Sequence, residues 1–232
     1  MVKNHLKRHH APQSWPLQRK SRVFIVRPKP GQSGLTLGMP LGMILRDVLH
    51  LASNAKEVRY ILQQSDVLID GRRRKDPHTI VGFMDTLSIP SGKLHYRVTL
   101  TRKGTLICIP ISEQETQRKV CKIIGKTLVG KHTQLNLYDA KNILVQKGAY
   151  AVNDSLLLEL PKNTIHEHLP FTPGAMIMLI SGQHKGDLGT IERFEGQRLF
   201  YKSQDGTVYE TQKKCAFVIG TKKPAVTAVH TP

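Results

Sequence analysis

Arg72, Arg73, Arg74 and Lys75 follow Asp70-Gly71 without a break. Asp-Gly favours a tight turn between two strands, so the run sits on the tip and return strand of a hairpin. Guanidinium groups there offer paired, planar donors to phosphate oxygens, and Lys75 adds a point charge. A second set opens the chain: Lys3, Lys7, Arg8, Arg19, Lys20 and Arg22 occur with no Asp or Glu in residues 1–22, together with Trp15, the single tryptophan. The third is Lys185, inside a glycine-spaced turn with Gly182, Gly186 and Gly189. All three sets suit a polyanion. A solvated charged face is the alternative for any one cation run, and the place of 72–75 at a turn beside two basic helices favours RNA.

The elements that must carry the hairpin begin at Pro40. Leu41, Ile44, Leu45, Val48 and Leu49 fall on one helical stripe, with Pro40 at the first helical position. Asn54 and Glu57 fit a capping box for a second helix whose apolar side is Ala55, Val58, Ile61 and Leu62. Arg46, Lys56 and Arg59 are left on the outer faces. Val67-Leu68-Ile69 then forms the strand leading to the cationic turn.

Composition narrows the partner. The 232 residues carry 35 Lys+Arg against 17 Asp+Glu, a formal net charge of +18. Such an excess attracts nucleic acid. No apolar run reaches the roughly 18 residues needed to span a bilayer, and the start is polar, so the chain is expected to be soluble and intracellular, with no membrane partner. Cys108, Cys121 and Cys215 are widely spaced among apolar neighbours and read as buried free thiols.

In chain order, residues 1–39 read as a basic arm and linker, of which 1–22 has too little apolar surface to fold alone. Trp15 either stacks on a base or pins the arm to a core. His5, His9 and His10 lack a nearby Cys or carboxylate, which argues against a metal site. Val23 to Val26 could form a short strand. Residues 40–92 are the helical and hairpin platform. From 93 to 172 the period changes: a hairpin around Lys103-Gly104, a short helix from Ser112 through about Lys119, then β runs at 120–129, 134–138, 143–146 and 156–160, which together predict a mostly antiparallel β domain. His166-Glu167-His168 lies in a loop on this reading and lacks a third metal ligand.

Residues 173–220 contain Gly182-Gln183-His184-Lys185-Gly186-Asp187-Leu188-Gly189-Thr190-Ile191, which matches the G-x-x-K-G-x-x-G-x-I pattern of a KOW element. The glycines suit tight bends and Lys185 sits where a phosphate can meet it. Short strands on either side predict a small SH3-like barrel ending near Ile219. Any small barrel needs glycine at its corners, so the glycines alone are not diagnostic. Residues 221–232 read as a basic tail, disordered or following RNA.

His5-Leu6-Lys7-Arg8, Ala11-Pro12, Trp15, Gly82-Phe83-Met84-Asp85, Tyr138-Asp139-Ala140-Lys141-Asn142-Ile143, Val152-Asn153-Asp154-Ser155 and Phe217-Val218-Ile219-Gly220 together resemble the S-four-e family of archaeal and eukaryotic small-subunit ribosomal proteins. The resemblance covers essentially the whole chain, and the length looks archaeal in type. It implies an α+β, mostly β chain: an S-four-type RNA-binding platform, a central antiparallel β domain and a C-terminal KOW barrel. It further implies a structural constituent of the small ribosomal subunit in the cytoplasm, with small-subunit rRNA and neighbouring ribosomal proteins as partners. No small-molecule substrate, cofactor or metal is implied. The platform differs from the family at many positions, which bears on individual contacts.

Two other classes share part of these features. An RNA-modifying enzyme with an S-four domain would need a catalytic Asp in a separate domain, and neither that motif, a Walker A sequence, His-Glu-x-x-His nor Gly-x-Ser-x-Gly is present. A KOW-containing regulator of transcription or translation would share the basic surfaces but would not sediment with small subunits.

Overall fold

The computed structural model describes residues 5–146, 148–221 and 223–228, so Lys3 and Lys222 lie outside the described residues. The chain divides into two units: residues up to Thr99 with Thr105–Thr116, and Leu100–Gly104 with the residues from Gln117 on.

The first unit begins with a two-stranded ribbon. β1 (Leu6–Lys7) and β2 (Phe24–Ile25) pair antiparallel, Leu6 opposite Ile25 and Lys7 opposite Phe24. Between them Trp15 is only 2% exposed, and its indole N–H is shared by the carbonyls of Gly38 at 2.8 Å and Leu35 at 3.1 Å. Of the two roles open to Trp15, the structure takes the core anchor, so the described part of the segment is packed. One large indole with a satisfied N–H, plus Ala11 and Ile25, supplies the core that the composition of the segment hides.

β3 (Gly38–Pro40) pairs with β6 (Ile80–Gly82). Pro40 is the extended N-cap, φ −68° and ψ 138°, and not the first helical residue. Leu41 N–H donates to the Thr79 carbonyl at 2.8 Å, so the first helical donor is satisfied across the sheet. α1 (Leu41–Met43) passes directly into a π turn at Ile44–Val48, in which Leu49 N–H reaches back to the Ile44 carbonyl. Leu41, Ile44 and Leu45 are fully buried, whereas Val48 and Leu49 are half-buried. The widened turn rotates the last two off the stripe that an ideal 3.6-residue period would give.

α2 (Ala55–Gln64) starts as its sequence predicts: Asn54 Oδ1 accepts from the backbone N–H groups of Lys56 and Glu57, and Glu57 accepts from Ser53 N–H. Such a cap contributes about 1 kcal/mol. Val58 and Leu62 are buried, but Ala55 is exposed. β4 (Leu68–Ile69) and β5 (Arg72–Arg73) form the cationic hairpin, with Asp70 (φ 51°) and Gly71 (φ 72°) both left-handed as a type I′ turn requires. β7 (Thr86–Ile89), β8 (Leu94–Leu100) and β9 (Leu106–Pro110) complete a sheet of order β5-β4-β7-β8-β9. Thr86 pairs with Arg97, so the 92/93 boundary expected from sequence falls inside a β7–β8 pair, and the 94–110 hairpin belongs to the platform's sheet.

In the second unit, β10 (Arg118–Val129), β11 (His132–Leu137), β12 (Asn142–Val145), β13 (Ser155–Glu159) and β14 (Thr164–Leu169) form one antiparallel sheet, order β12-β11-β10-β13-β14. The helix expected through Lys119 is only a 3-10 turn at Gln114–Gln117; Lys119 is already in β10, 1% exposed. The loop expected at His166-Glu167-His168 is instead part of β14, with His166 and Glu167 exposed and His168 half-buried. His168 in fact bonds Asp154 Oδ2 at 2.7 Å.

The second sheet has the order β18-β17-β16-β15-β19, from β15 (Met176–Leu179), β16 (Leu188–Glu195), β17 (Arg198–Ser203), β18 (Val208–Gln212) and β19 (Ala216–Gly220). Its core includes Ile177, Leu199, Tyr201, Phe217 and Val218. Lys122 of β10 donates to the carbonyls of Ala216 at 2.6 Å and Lys214 at 3.0 Å, tying the two sheets. Past β19 the chain turns back: Gly220 bridges to Pro224, Ala225 N–H donates to the Ile219 carbonyl, and Val226 and Ala228 are buried. The described part of the tail is thus packed, against the expectation of a free basic tail. Cys121 and Cys215 are buried, while Cys108 is half-buried, its thiol pushed up to about 12 by burial.

Candidate nucleic-acid interface

The platform cations divide into two kinds. Lys56, Arg59, Arg72 and Lys75 are exposed and, among the described residues, make no ion pair. Tyr60 stands beside Lys56 and Arg59 on α2, 66% exposed. Arg73 is held back: its Nε meets Asp66 at 2.8 Å and its Nη2 donates to the Gln63 carbonyl at the end of α2. Arg46 is also engaged, half-buried with two parallel hydrogen bonds to Asp47 at 2.8 and 2.7 Å that raise its pKa above the ordinary value. Arg74 is half-buried, its Nε without a hydrogen-bond partner.

The hairpin is aimed by Asp70, which the sequence marks only as a turn residue, and by Arg97, to which it gives no role. Asp70 is 5% exposed and its Oδ1 accepts from Thr86 N–H at 3.1 Å, locking the turn onto β7. Arg97 is fully buried and donates to the Glu115 carbonyl at 2.9 Å. Burial lowers its pKa to about 10, and the charges of Glu115 and Asp70 oppose that shift. An isolated arginine in an alternating strand gives no sequence signal of such burial.

At the N-terminus, Lys7, Lys20 and Arg22 are exposed, and so are His5, His9 and His10. Arg8 is only 6% exposed, with Nη1 on the Gln18 carbonyl at 2.8 Å and Ser21 Oγ at 3.0 Å. Arg19 donates to the carbonyls of Ala11 and Pro12 at 2.8 and 2.9 Å. Trp15 is buried, which removes base stacking as its role. Arg8 and Arg19 thus both bond carbonyls of their own segment, while Lys7, Lys20 and Arg22 stand exposed.

In the glycine-spaced turn, Gly182 (φ 92°) and Gly186 (φ 88°) are left-handed, and a Cβ on Gly186 would collide with the Thr101 carbonyl. Gly189 is required for a different reason, because its Cα faces the Lys202 carbonyl and the Tyr201 ring too closely for any side chain. Lys185 is half-buried, its stem beside Gly104, and burial lowers its pKa. Asp187 organises this turn: it accepts from Tyr201 OH at 3.1 Å, Ser203 Oγ at 3.2 Å and Leu188 N–H at 3.0 Å. Arg102 bonds Asp205 and stands 3.9 Å from Asp187. No group of three His, Cys, Asp or Glu among the described residues is arranged to hold a metal ion. No helix among them is long and apolar enough to cross a membrane.

Comparison with known proteins decides the family. The model of ribosomal family S4e matches residues 93–165, and that of the RS4NT (NUC023) domain matches residues 2–31. Small ribosomal subunit protein eS4 of Methanocella arvoryzae is 37% identical over 238 residues, covering 99% of both chains. The chain belongs to the S4e family of ribosomal proteins. The eS4 protein of Methanocaldococcus jannaschii is also 37% identical, over 97% of each chain. The crystal structure of the 30S ribosomal protein S4e from Thermoplasma acidophilum superposes with a TM-score of 0.69 at 28% identity, covering 80% of this chain and 96% of that one. The α+β, mostly β architecture is therefore that of the S4e family, and its β-rich middle is the part the family model matches.

Proposed function

We propose that this chain is a structural constituent of the small ribosomal subunit in the cytoplasm, holding small-subunit rRNA and contacting neighbouring ribosomal proteins. The carrying observation is full-length identity of 37% to eS4 proteins, whose name places them in that subunit. On this reading residues 40–110 act as an S4-type platform, 118–169 as the central β domain and 173–220 as a KOW SH3-like module. The first boundary moves because the 94–110 hairpin completes the platform sheet. Lys56, Arg59, Arg72 and Lys75 supply phosphate contacts from one helix and one hairpin. Lys7, Lys20 and Arg22 supply others from the N-terminal segment, and Lys185 from the glycine-spaced turn. Lys3 belongs to the same proposal from its sequence position alone.

The mechanism is positioning. A-form RNA conceals most of its base edges in a deep major groove, so cations spread over helix and hairpin follow its phosphates. Asp70, Arg97 and the α2 cap fix the geometry in advance, which limits the entropy lost on binding. No step of catalysis is assigned. Sedimentation of native particles followed by RNA crosslinking tests the proposal: the chain should travel with small subunits and crosslink to their rRNA through peptides of the platform. Elution with polymerase, or free in the soluble fraction, would favour the KOW regulator instead.

A further inference from the structure

Arg8 presents a problem that the phosphate-clamp reading leaves open. The residue is only 6% exposed. Yet no carboxylate among the described residues pairs with it. Its two hydrogen bonds both leave from Nη1, to the Gln18 carbonyl and Ser21 Oγ, while its Nε is buried with no partner. A guanidinium carries five N–H donors and a permanent charge, and burying such a group without a counter-ion is costly. An anion arriving from outside would supply the missing counter-charge.

The surroundings provide a place for one. Arg8 lines a cleft of about 730 Å³ within the first unit, which also takes in Arg22, Arg46, His50 and Ser21. The single carboxylate in its lining is Asp47, already occupied by the paired hydrogen bonds of Arg46. Arg22 and His50 are exposed at its mouth. Arg46 and Asp47 of its lining belong to the π turn at Ile44–Val48, after which His50 is held left-handed at φ 52°. Both are features that cluster at functional sites, since an unbroken α-helix and a relaxed residue would be more stable.

We propose that this cleft is a phosphate-binding subsite, in which the buried Arg8 guanidinium receives an RNA phosphodiester that enters past Arg22 and His50. The inference rests on the rRNA-binding reading and deepens it by naming one pocket where a single phosphate is enclosed. It differs from the exposed clamp of α2 and the hairpin in kind. Those cations meet a backbone in solvent, whereas Arg8 is fixed before binding by the two hydrogen bonds of Nη1, which leaves Nη2 to meet the phosphate.

The test uses the full chain labelled with 15N-arginine and follows the Arg8 Nε–H resonance. The probes are inorganic phosphate and the small-subunit rRNA fragment recovered by crosslinking. Saturable movement of that resonance with the rRNA fragment is expected, with inorganic phosphate moving it only at millimolar concentration. Arg22→Glu, at the exposed mouth, should weaken the rRNA fragment about tenfold or more without changing the melting temperature. Arg8→Lys should weaken it as well, since the ammonium keeps the charge but cannot hold Gln18 and Ser21 while reaching the phosphate. If the chain binds rRNA but the Arg8 resonance stays still and Arg22→Glu binds like the wild type, the subsite is wrong and the ribosomal reading stands. Saturation by micromolar phosphate that rRNA cannot displace would overturn RNA as the source of the anion. Failure of the wild-type chain to bind rRNA at all would overturn the functional reading itself.

Discussion

The indole N–H of Trp15 donates to the Gly38 carbonyl at 2.8 Å, joining the N-terminal segment to the strand that leads into α1. Ser14 Oγ reinforces the join through the Thr36 carbonyl, and the Leu106 N–H donates to the Ser14 carbonyl at 2.7 Å. The segment between β1 and β2 is thereby part of the platform's core.

Trp15→Ala should consequently cost about 3–5 kcal/mol, the range for removing a large buried aromatic side chain. Deleting residues 1–22 should abolish cooperative unfolding of the first unit. Urea denaturation followed by circular dichroism checks both. A truncated chain that melts like the full one would show that the segment packs without contributing to the core.

How much of this was legible beforehand depends on the kind of signal. The α2 cap, the Asp70-Gly71 hairpin and the β15–β19 strands follow local rules, so spacing and turn residues revealed them. Trp15 left both alternatives open because a lone aromatic in a basic stretch carries no period. The π turn was invisible, since Leu41, Ile44 and Leu45 fit an ordinary helix and only Val48 and Leu49 depart from it. The cation runs pointed to a polyanion, but their members could not be sorted. Whether Arg73 faces Asp66 or solvent is decided by tertiary placement. The same holds for Arg8, whose burial depends on Ser21 and Gln18 ten or more residues away.

Asp139 provides a pH-dependent prediction. It is 3% exposed, and Lys119 and Lys141 each approach its Oδ2 at 3.0 Å. Burial alone would raise its pKa, but the two ammonium groups outweigh it and hold the carboxyl at about 2, below its ordinary 3.8. The folded state then binds fewer protons than the unfolded one between those values. Its contribution is complete above about pH 4 to 5 and disappears as pH falls toward 2. Asp139→Asn should remove this part of the acid limb and cost about 3–5 kcal/mol at neutral pH, since Lys119, 1% exposed, loses a carboxylate. Chemical denaturation from pH 7 to 2 measures both. An unchanged acid limb in the variant would place the titration elsewhere.

Lys122 behaves in the opposite range. Burial lowers its pKa from 10.5 to about 8, against a smaller opposing effect of Cys215. Below pH 8 both states carry the proton and the folded state bears the full cost of a buried charge. Between about 8 and 10.5 the unfolded chain binds more protons, so this group makes stability rise with pH. Lys122→Met should erase that rise relative to the wild type, while leaving the Lys214 and Ala216 carbonyls without their donor. Denaturation at pH 7 and pH 9.5 for both proteins gives the difference directly. Equal pH dependence in the two would mean that Lys122 stays charged throughout.

The final prediction separates free cations from engaged ones. Lys56, Arg59, Arg72 and Lys75 are exposed and unpaired among the described residues, whereas Arg73 is paired with Asp66 and Arg46 with Asp47. If about four groups each neutralise one phosphate, the slope of log K against log salt for an rRNA fragment lies near −3 for this surface, between the helical and single-strand coefficients. Arg72→Ala with Lys75→Ala should flatten that slope by about 1 to 2 units and weaken cognate and non-cognate RNA alike, because phosphate contacts carry no sequence information. Arg73→Ala should change the slope by less than one unit, since removing it frees the Asp66 carboxylate and the lost cation was already compensated. Filter binding across a salt series, on two rRNA fragments, reads all three. Should the double variant keep the wild-type slope yet lose discrimination between fragments, Arg72 and Lys75 read RNA shape or bases, and the platform is no phosphate clamp. If Arg73→Ala instead flattens the slope as much as the double variant, the Asp66 pair opens on binding and Arg73 joins the free set.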